Sequence, residues 1–373
     1  MKKEIYLDYS ATTPIDEMVL NCFIENSKNN FGNANSHHSL GERSKRIIEE
    51  STNNIKEYFN ISKTHDVIFT SGASESNNTV IKGISKEGKT EIITTRLEHS
   101  SIYAPIGFKQ RDGYTIKFAP LNTDGTVNIE KLLDLITDKT LLVTIGAVNS
   151  EMGIRQPIEE IGKVLKEKDV YFHSDITQCV GKDNIDLIDV DFASFSGHKI
   201  YGFKGIGGLI KRKNTPLKAL INGGKSTTIY RSGTPQSELI SALSKSFDLF
   251  KDSLLKNYVY VNGLNLKIRT HLKKYDNIRI NSTNLSIPHI LNISILGQKS
   301  EDIQEYFNKE NIYISTQTAC SSGKEYSDGV LEITKNPEQA KSSIRISLSY
   351  KTTIEEIDTF LEILDQYMKE RGI

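Results

Sequence analysis

The sequence is poor in cysteine and carries no excess of charge of either sign. Its 373 residues include 3 cysteines, which lie far apart and without the CxxC spacing that is typical of metal sites. Three scattered thiols do not suggest a disulfide framework, and this favours a reducing compartment. The formal net charge is +0, so no overall field attracts nucleic acid or an anionic membrane surface.

Long hydrophobic runs are also missing. No apolar stretch approaches the ~20 residues of a membrane helix, and the first residues contain no apolar segment long enough for a secretory signal peptide. There is no internal repeat and no low-complexity tract. We therefore expect a cytoplasmic protein without a membrane or direct nucleic-acid partner, long enough for two domains or for one large domain with an appendage.

Short apolar runs alternate with amphipathic stretches over the first two-thirds of the chain. The amphipathic stretches include 129–136 and 158–165, and the candidate strands lie at 67–69, 91–94, 115–118, 141–145, 170–172, 192–195 and 208–210. This alternation predicts an α/β fold in which a mostly parallel sheet is covered by helices on both faces.

The last third of the chain predicts a smaller α+β unit. Strand-like runs at 292–295 and 343–347 precede a C-terminal helix, for which Thr353 and Glu356 form a capping-box pattern. A long linking helix is predicted over about 246–274. We place a large domain at 15–255, and a small domain is formed by 1–14 together with 256–373.

Two neighbouring strand ends carry the residues with the clearest chemical meaning. The strand at 170–172 leads into Asp175, and the strand at 192–195 is followed by Lys199. In an open α/β sheet, such strand ends meet at one crevice. An amine and an acid there suit pyridoxal phosphate, which binds a lysine and needs an acid beside its ring nitrogen. The competing interpretation is a surface lysine and a helix-capping aspartate.

Three further positions are candidates for the same site. Residues 70–77 predict a glycine-containing turn into a helix, which could bind a phosphate or be an ordinary helix start. His99 follows a strand and could stack on a cofactor ring, although a lone histidine is more often structural. Arg345 lies inside an apolar strand and needs an anionic partner, either a substrate carboxylate or a structural ion pair.

The three cysteines differ in their surroundings. Cys320 lies in a small, polar, loop-like segment, where a thiol is accessible and can act as a nucleophile. Cys179 is expected to be buried beside a strand, and Cys22 is expected on a helix. Only Cys320 is assigned a chemical role.

Taken in order, these segments resemble the NifS/IscS-like cysteine desulfurases of the class V aminotransferase superfamily. The resemblance covers nearly the whole chain, through segments 6–14, 31–33, 70–77, 98–99, 148–153, 174–178, 196–199, 231–234, 319–322 and 343–347. It implies an aspartate-aminotransferase-like fold with a seven-stranded sheet in the large domain. It also implies pyridoxal 5′-phosphate as the cofactor and a homodimer with shared sites.

The resemblance implies a role for each matching residue. Lys199 would hold the cofactor as a Schiff base, His99 would stack on the ring, and Cys320 would take the sulfur as a persulfide. Substrate binding is implied for Arg345 and Asn33. The implied cofactor contacts are His99 and Ser150 at the ring, Asp175 at its nitrogen, Gln178 at its phenolic oxygen, and Ala73, Ser74, Ser196, His198 and, from the neighbouring subunit, Thr234 at the phosphate.

The implied reaction takes sulfur from L-cysteine, releases L-alanine and passes the persulfide to an Fe–S scaffold or a tRNA-thiolation protein. Three departures stand out. Ser150 replaces an asparagine that often contacts the ring, and 223–228 lacks the family's Glu-Arg pair. Residues 317–320 read Gln-Thr-Ala-Cys instead of the usual Gly-Ser-Ala-Cys, which keeps the nucleophile but changes the stiffness of its loop. A selenocysteine lyase, another class V aminotransferase and a non-catalytic sulfur-assembly adaptor are the alternatives. The thiol of Cys320 favours the desulfurase, and the retained Lys199, Asp175 and His99 argue against the adaptor.

Overall fold

The computed structural model describes residues 3–224, 226–316 and 325–373. The strands within these ranges are β1 (Ile5–Tyr6), β2 (His65–Thr70), β3 (Glu91–Thr94), β4 (Thr115–Phe118), β5 (Thr140–Thr144), β6 (Tyr171–Asp175), β7 (Phe192–Ser196), β8 (Gly207–Arg212), β9 (Ile278–Ile280), β10 (Ile290–Ile295), β11 (Ile312–Tyr313) and β12 (Ser343–Ser347). A short 3-10 turn, Gly197–Lys199, follows β7.

Helices fill most of the intervals between these strands. They are α1 (Glu17–Asn29), α2 (Ser39–Tyr58), α3 (Ala73–Gly83), α4 (Ser100–Arg111), α5 (Ile129–Asp134), α6 (Ile158–Leu165), α7 (Ser237–Asp248), α8 (Leu254–Leu272), α9 (Ser300–Lys309), α10 (Asp328–Thr334), α11 (Pro337–Lys341) and α12 (Ile354–Arg371). No helix in the described ranges has both the length and the apolar character that crossing a bilayer requires.

Seven strands form the central sheet, in the order β2-β8-β7-β6-β5-β3-β4. Strand β8 pairs antiparallel with β2 and β7, and the other neighbours pair in parallel. All strands of this sheet except β8 therefore run in the same direction, and their carboxyl ends meet at one edge. The prediction of an α/β fold with a large, mostly parallel, seven-stranded sheet is confirmed.

Both faces of the central sheet are buried. Along β2, Val67 and Phe69 enter one apolar cluster while Ile68 enters another. Strand β7 divides in the same way, with Ala193 on the first side and Phe192 on the second. Successive side chains of a strand point to opposite faces, so a sheet covered on both sides needs apolar residues at consecutive positions. This requirement explains the short continuous apolar runs in the sequence.

A further apolar cluster surrounds a three-stranded antiparallel sheet, β12-β10-β9. Strand β1 pairs in parallel with β11, and Leu7 joins this cluster together with residues of α8, α9 and α12. The start of the chain is thus packed against its last third. The domain limits, 15–255 for one domain and 1–14 with 256–373 for the other, stay a prediction.

The linking helix predicted over about 246–274 is confirmed for Leu254–Leu272, but it begins later than predicted. Helix α7 ends at Asp248 and α8 begins at Leu254. Between them, the Ser253 hydroxyl donates to the carbonyl oxygen of Leu249 at 2.7 Å, and Phe250 is buried in the large cluster. Short polar side chains that bond to nearby backbone compete with helix formation, and the break allows the Phe250 ring to enter the core.

Helix α12 begins with the capping box that the sequence predicted. The Thr353 hydroxyl accepts the Glu356 backbone N–H at 3.2 Å, and the Glu356 carboxylate accepts the Thr353 N–H at 3.0 Å. Both bonds satisfy N–H groups that have no partner inside the helix. The apolar face of α12 then packs into the cluster around the smaller sheet.

We expect Thr353→Ala to lower the free energy of unfolding by about 1 kcal/mol, because it removes one half of this cap. Thr359→Ala is the matched control, since the Thr359 hydroxyl bonds only to the carbonyl of Glu355 within the same helix and alanine favours helix. Denaturant titration of both variants measures the difference. An equal loss in Thr359→Ala would contradict the assignment to the cap.

Candidate active site

A cavity of about 290 Å³ lies at the carboxyl edge of the central sheet. Its walls come from the carboxyl ends of β2, β3, β5, β6 and β7 and the segments that follow them, from residues 10–11 of the N-terminal segment, and from one residue of β12. Ten of the residues predicted from the sequence line it: Ala73, Ser74, His99, Ser150, Asp175, Gln178, Ser196, His198, Lys199 and Arg345. The common direction of the strands brings these distant parts of the chain together.

One end of the cavity is built to receive an anion. Helix α3 starts there, and the backbone N–H of Ala73 donates to the Ser196 hydroxyl at 2.7 Å. Gly72, with φ at 149°, precedes the helix, and a Cβ at this position would lie 3.2 Å from the Ser196 oxygen. Helix N-termini carry partial positive charge and free N–H groups. The N-terminus of α3, with the hydroxyls of Ser74 and Ser196, can therefore hold a phosphate.

The imidazole of His198 stands beside this anion site. Its Nδ1 lies 3.2 Å from the hydroxyl of Thr12. Burial, followed by the charge of nearby Lys199, lowers the pKa of His198 to about 4. The ring is therefore neutral at neutral pH and contributes hydrogen bonding rather than charge to the anion site.

The amine of Lys199 is held by backbone carbonyls of the N-terminal segment. The Nζ donates to the carbonyl oxygen of Ala11 at 2.8 Å and also to that of Ser10. Its position follows from the 3-10 turn Gly197–Lys199, which redirects the chain immediately after β7. The turn carries the lysine from the end of a strand into the cavity.

The carboxylate of Asp175 is fixed by two donors. The Asn77 side-chain amide donates to Oδ2 at 2.8 Å, and the Thr177 backbone N–H donates to Oδ1 at 3.0 Å. The same amide reaches the Ser101 hydroxyl at 2.8 Å. Two charge-assisted hydrogen bonds orient the acid. It can therefore face a cationic ring nitrogen without rotating away.

His99 caps the N-terminus of α4. Its Nδ1 accepts the backbone N–H of Ser101 at 3.1 Å and lies 2.8 Å from the hydroxyl of the same residue. Burial lowers the pKa of His99; the charge of Asp175 opposes this shift and that of Lys199 adds to it. The neutral ring carries its proton on Nε2, because Nδ1 is already an acceptor.

The preceding residue, Glu98, is a half-buried acid in the cavity wall. It accepts hydrogen bonds from the hydroxyl of Thr95 at 2.7 Å and from the backbone N–H of Gly146 at 2.9 Å. Burial raises the pKa of Glu98 from its ordinary 4.5 to about 8, and the negative charge of Asp175 adds to the shift. This carboxyl therefore keeps its proton at neutral pH.

Arg345 is 2% exposed and makes an ion pair that the sequence could not locate. Its Nη2 donates to the carboxylate of Asp8 at 2.7 Å, and its Nη1 donates to the carbonyl oxygen of Ser150 at 3.0 Å. The Nε, which is buried, has no hydrogen-bond partner among the described residues. The structural ion pair is present, and the same guanidinium lines the cavity. Its role in binding a substrate carboxylate stays a prediction.

Three predicted site residues do not join this group. Asn33 and Thr234 are exposed and lie outside the cavity lining of the single chain. For Thr234 this agrees with the expectation that it serves a neighbouring subunit, and that expectation stays a prediction. Cys320 falls in 317–324, outside the described residues. Of the other cysteines, Cys179 is buried, and Cys22 lies within α1 and is half-buried.

Sequence reasoning missed several residues that support the site. Asn77 follows Ala73 by one turn of α3, so it faces the same side of the helix and can reach Asp175. Glu98 belongs to the motif that identified His99, and its position after a strand end was the available signal. Asn149, Ser101 and Ser10 also line the cavity, but their hydrogen bonds depend on contacts between distant segments.

The profile of the Aminotransferase class-V family matches residues 5–360 of this sequence. The chain belongs to the class V aminotransferase family. The curated class V relatives include "Cysteine desulfurase IscS" of Clostridium botulinum, which is 33% identical over 100% of this chain and 96% of its own length. The protein of the same name from Dictyoglomus turgidum is 35% identical over 99% of this chain and 96% of its length.

Solved structures of class V relatives have the same architecture. A protein described as NifS-like superposes with a TM-score of 0.91 at 29% identity, covering 98% of this chain and 100% of the other. The NifS-like protein from Rickettsia africae superposes with a TM-score of 0.88 at 33% identity, covering 98% of this chain and 99% of the other. These similarities extend over nearly the whole fold.

Class V aminotransferases are pyridoxal phosphate enzymes, and the cavity fits this cofactor. An anion site at the start of α3, an amine at Lys199 and an oriented acid at Asp175 match the phosphate, aldehyde and ring nitrogen of the cofactor. A side chain at Gly72 would enter the anion site. The donor set therefore agrees with the family's chemistry.

We expect Gly72→Ala to weaken pyridoxal phosphate binding by on the order of tenfold or more, because a Cβ would crowd Ser196 and strain the backbone where α3 begins. Gly88→Ala is the matched control. Gly88 also has a positive φ, at 75°, but a Cβ there would meet nothing within 4 Å. Fluorescence or absorbance titration of the apoprotein with the cofactor compares the two, and equal weakening in both variants would refute the role of Gly72.

We expect Glu98→Gln to change how stability depends on pH. In the folded state Glu98 keeps a proton that the unfolded chain releases, so wild-type stability falls as pH rises from about 4.5 to about 8. Glutamine has no proton to lose, so the melting temperature of Glu98→Gln should rise relative to wild type across this interval. Thermal melts from pH 5 to 8.5 test this, with the exposed Glu87→Gln as control. A difference from wild type that does not change with pH would contradict the prediction.

Proposed function

We propose that this chain is a pyridoxal phosphate-dependent cysteine desulfurase that converts L-cysteine into L-alanine and keeps the sulfur as a persulfide on Cys320. The observation that carries the proposal is the convergence of Lys199, Asp175 and the N-terminus of α3 on one cavity. Relatives named cysteine desulfurase, similar over nearly the full chain, support the choice of substrate.

The proposal assigns a task to several of the polar residues in the cavity. Bound pyridoxal phosphate supplies an electron sink that makes the α-carbon proton of an amino acid acidic. Asp175, oriented by Asn77 and Thr177, keeps the ring nitrogen protonated. The amine of Lys199 holds the cofactor and can then move a proton at the α-carbon. His99, whose neutral ring is fixed by Ser101, can exchange a proton at Nε2.

The remaining groups bind two anions, the phosphate of the cofactor and the carboxylate of the substrate. The N-terminus of α3, with Ser74 and Ser196, takes the phosphate, and neutral His198 donates or accepts a hydrogen bond there. Arg345 takes the substrate carboxylate, with its guanidinium steadied by Asp8. Ser150 contributes its backbone carbonyl to the same guanidinium.

The overall reaction balances without an external oxidant. The carbon–sulfur bond of L-cysteine breaks, a sulfur–sulfur bond to Cys320 forms, and hydrogen replaces sulfur on carbon to give L-alanine. The thiolate of Cys320 is the nucleophile. We further propose that the protein is a cytoplasmic homodimer in which Thr234 and Asn33 complete the sites. An Fe–S scaffold or a tRNA-thiolation protein then accepts the sulfur.

The test is alanine release from L-cysteine by the protein loaded with pyridoxal phosphate. We expect an absorbance band at ~420 nm, alanine formation, and a gain of one sulfur atom on Cys320 by mass spectrometry. Cys320→Ala should abolish alanine release but keep the band, and Lys199→Ala should lose the band and on the order of 10³-fold in rate. Cys22→Ala, at a half-buried position in α1, is the matched control and should behave as wild type.

Other results would identify the alternatives. Unimpaired alanine release by Cys320→Ala would exclude the persulfide role and favour another class V enzyme. Release from selenocysteine but not from cysteine would indicate a selenocysteine lyase. A protein that stays colourless after addition of cofactor would favour a non-catalytic adaptor.

A further inference from the structure

A buried lysine, Lys182, lies directly behind the wall of the cavity. Lys182 is 7% exposed, and its ammonium donates to the side-chain oxygen of Gln178 at 2.9 Å. Among the described residues, no carboxylate forms an ion pair with it. Burying a cation without an anionic partner is unfavourable. Such a group is therefore expected to serve a purpose beyond stability.

Lys182 and the Ser10 carbonyl together determine which way the carboxamide of Gln178 faces. A lysine ammonium has only donors, so the Gln178 atom that it contacts is the oxygen. The NH₂ of Gln178 then points the other way, where it donates to the carbonyl oxygen of Ser10 at 2.9 Å. Because Gln178 lines the cavity, Lys182 leaves a donor, and not an acceptor, on the cavity side.

The same carbonyl joins this pair to the amine of the site. The Ser10 oxygen accepts from Gln178 and also from the Nζ of Lys199. A continuous series of hydrogen bonds thus runs from Lys182 through Gln178 and Ser10 to Lys199. We therefore expect a change in the charge of Lys182, or in the direction of its hydrogen bond, to alter the protonation of the Lys199 nitrogen.

We propose that Lys182 is a positioning residue of the cofactor site, which holds the Gln178 NH₂ toward the ring oxygen of pyridoxal phosphate and adds positive charge behind it. This inference rests on the proposed function for the identity of the cofactor. It concerns the bound cofactor and not turnover, so it can be tested without the desulfurase reaction.

The charged groups around Lys182 agree with this role. Burial lowers its pKa to about 7; the charge of Lys199 adds to this shift, Cys179 opposes it, and Arg345 adds to it again. His289, also buried, has its pKa lowered to about 3 by burial and by Lys182. Apart from the Cys179 thiol, these neighbours are cationic or neutral, so an anionic ring oxygen is the partner that would stabilise the charged lysine.

The experiment compares Lys182→Met with Lys182→Arg in the cofactor-loaded protein. The readouts are the pH at which the visible absorbance band is half lost and the dissociation constant for the cofactor. We expect Lys182→Met to raise that midpoint by about one pH unit, because a positive charge no longer opposes protonation of the nitrogen that Lys199 contributes. The dissociation constant should rise about tenfold, and Lys182→Arg should restore both values to near wild type.

Lys211→Met is the matched control. Lys211 is also fully buried, but its ammonium donates to the backbone carbonyls of Arg212 and Lys213, away from the cavity. The Lys211→Met variant shows how much the loss of any buried lysine changes the stability of the protein. It should leave the midpoint and the cofactor affinity unchanged, whatever its effect on the melting temperature.

Three results would overturn the proposal: an unmoved midpoint in Lys182→Met, an equal shift in Lys211→Met, or no recovery in Lys182→Arg. If Lys182→Met does not fold, Lys182→Gln takes its place, and an unmoved midpoint in that variant refutes the proposal equally. A wild-type protein that binds cofactor but makes no alanine would refute the proposed function alone. A wild-type protein that binds no cofactor would refute both.

Discussion

The parallel pairing of β6 with β7 is the contact on which the site depends. It sets Asp175 opposite Ser194 across the two strands, and the chain then needs only the short turn after β7 to place Lys199 on the same side. The acid and the amine belong to neighbouring strands that end at one edge of the sheet. Any change in the direction or register of this pair would move them apart.

The segments that complete the cavity are positioned by different forces. The start of α3 is fixed by Gly72 and by the bond between Ala73 and Ser196, which joins two strand ends. The N-terminal segment is held by its carbonyls, which accept from Lys199 and from Gln178. The polar backbone of 10–11 thus contributes to the site although it has no chemically distinctive side chain.

The electrostatic character of the cavity follows from burial as much as from composition. Burial keeps His99 and His198 neutral and Glu98 protonated, while Lys199 and Arg345 remain beside carbonyls and Asp8. The result is a small volume lined by neutral imidazoles, one oriented carboxylate, the amine of Lys199 and the guanidinium of Arg345. A net charge of +0 for the chain gives no hint of this local arrangement.

Local sequence patterns were sufficient for most of the fold. Short apolar runs predicted the strands of the central sheet because a strand buried on both faces needs apolar residues at consecutive positions. The capping box at Thr353 was also correct, since it depends on residues three apart. The linking helix was predicted to begin too early, because the break before it depends on Phe250 entering the core, which is a tertiary effect.

For the site, local order along the chain and a resemblance to a known family were enough to place Asp175, Lys199, His99 and the turn at 70–77 at strand ends. Their partners became known only from the folded chain: Asn77 for Asp175, Asp8 for Arg345 and Lys182 for Gln178. Hydrogen bonds and pKa shifts depend on distance and burial in three dimensions, and neither is encoded in the spacing of residues along a chain.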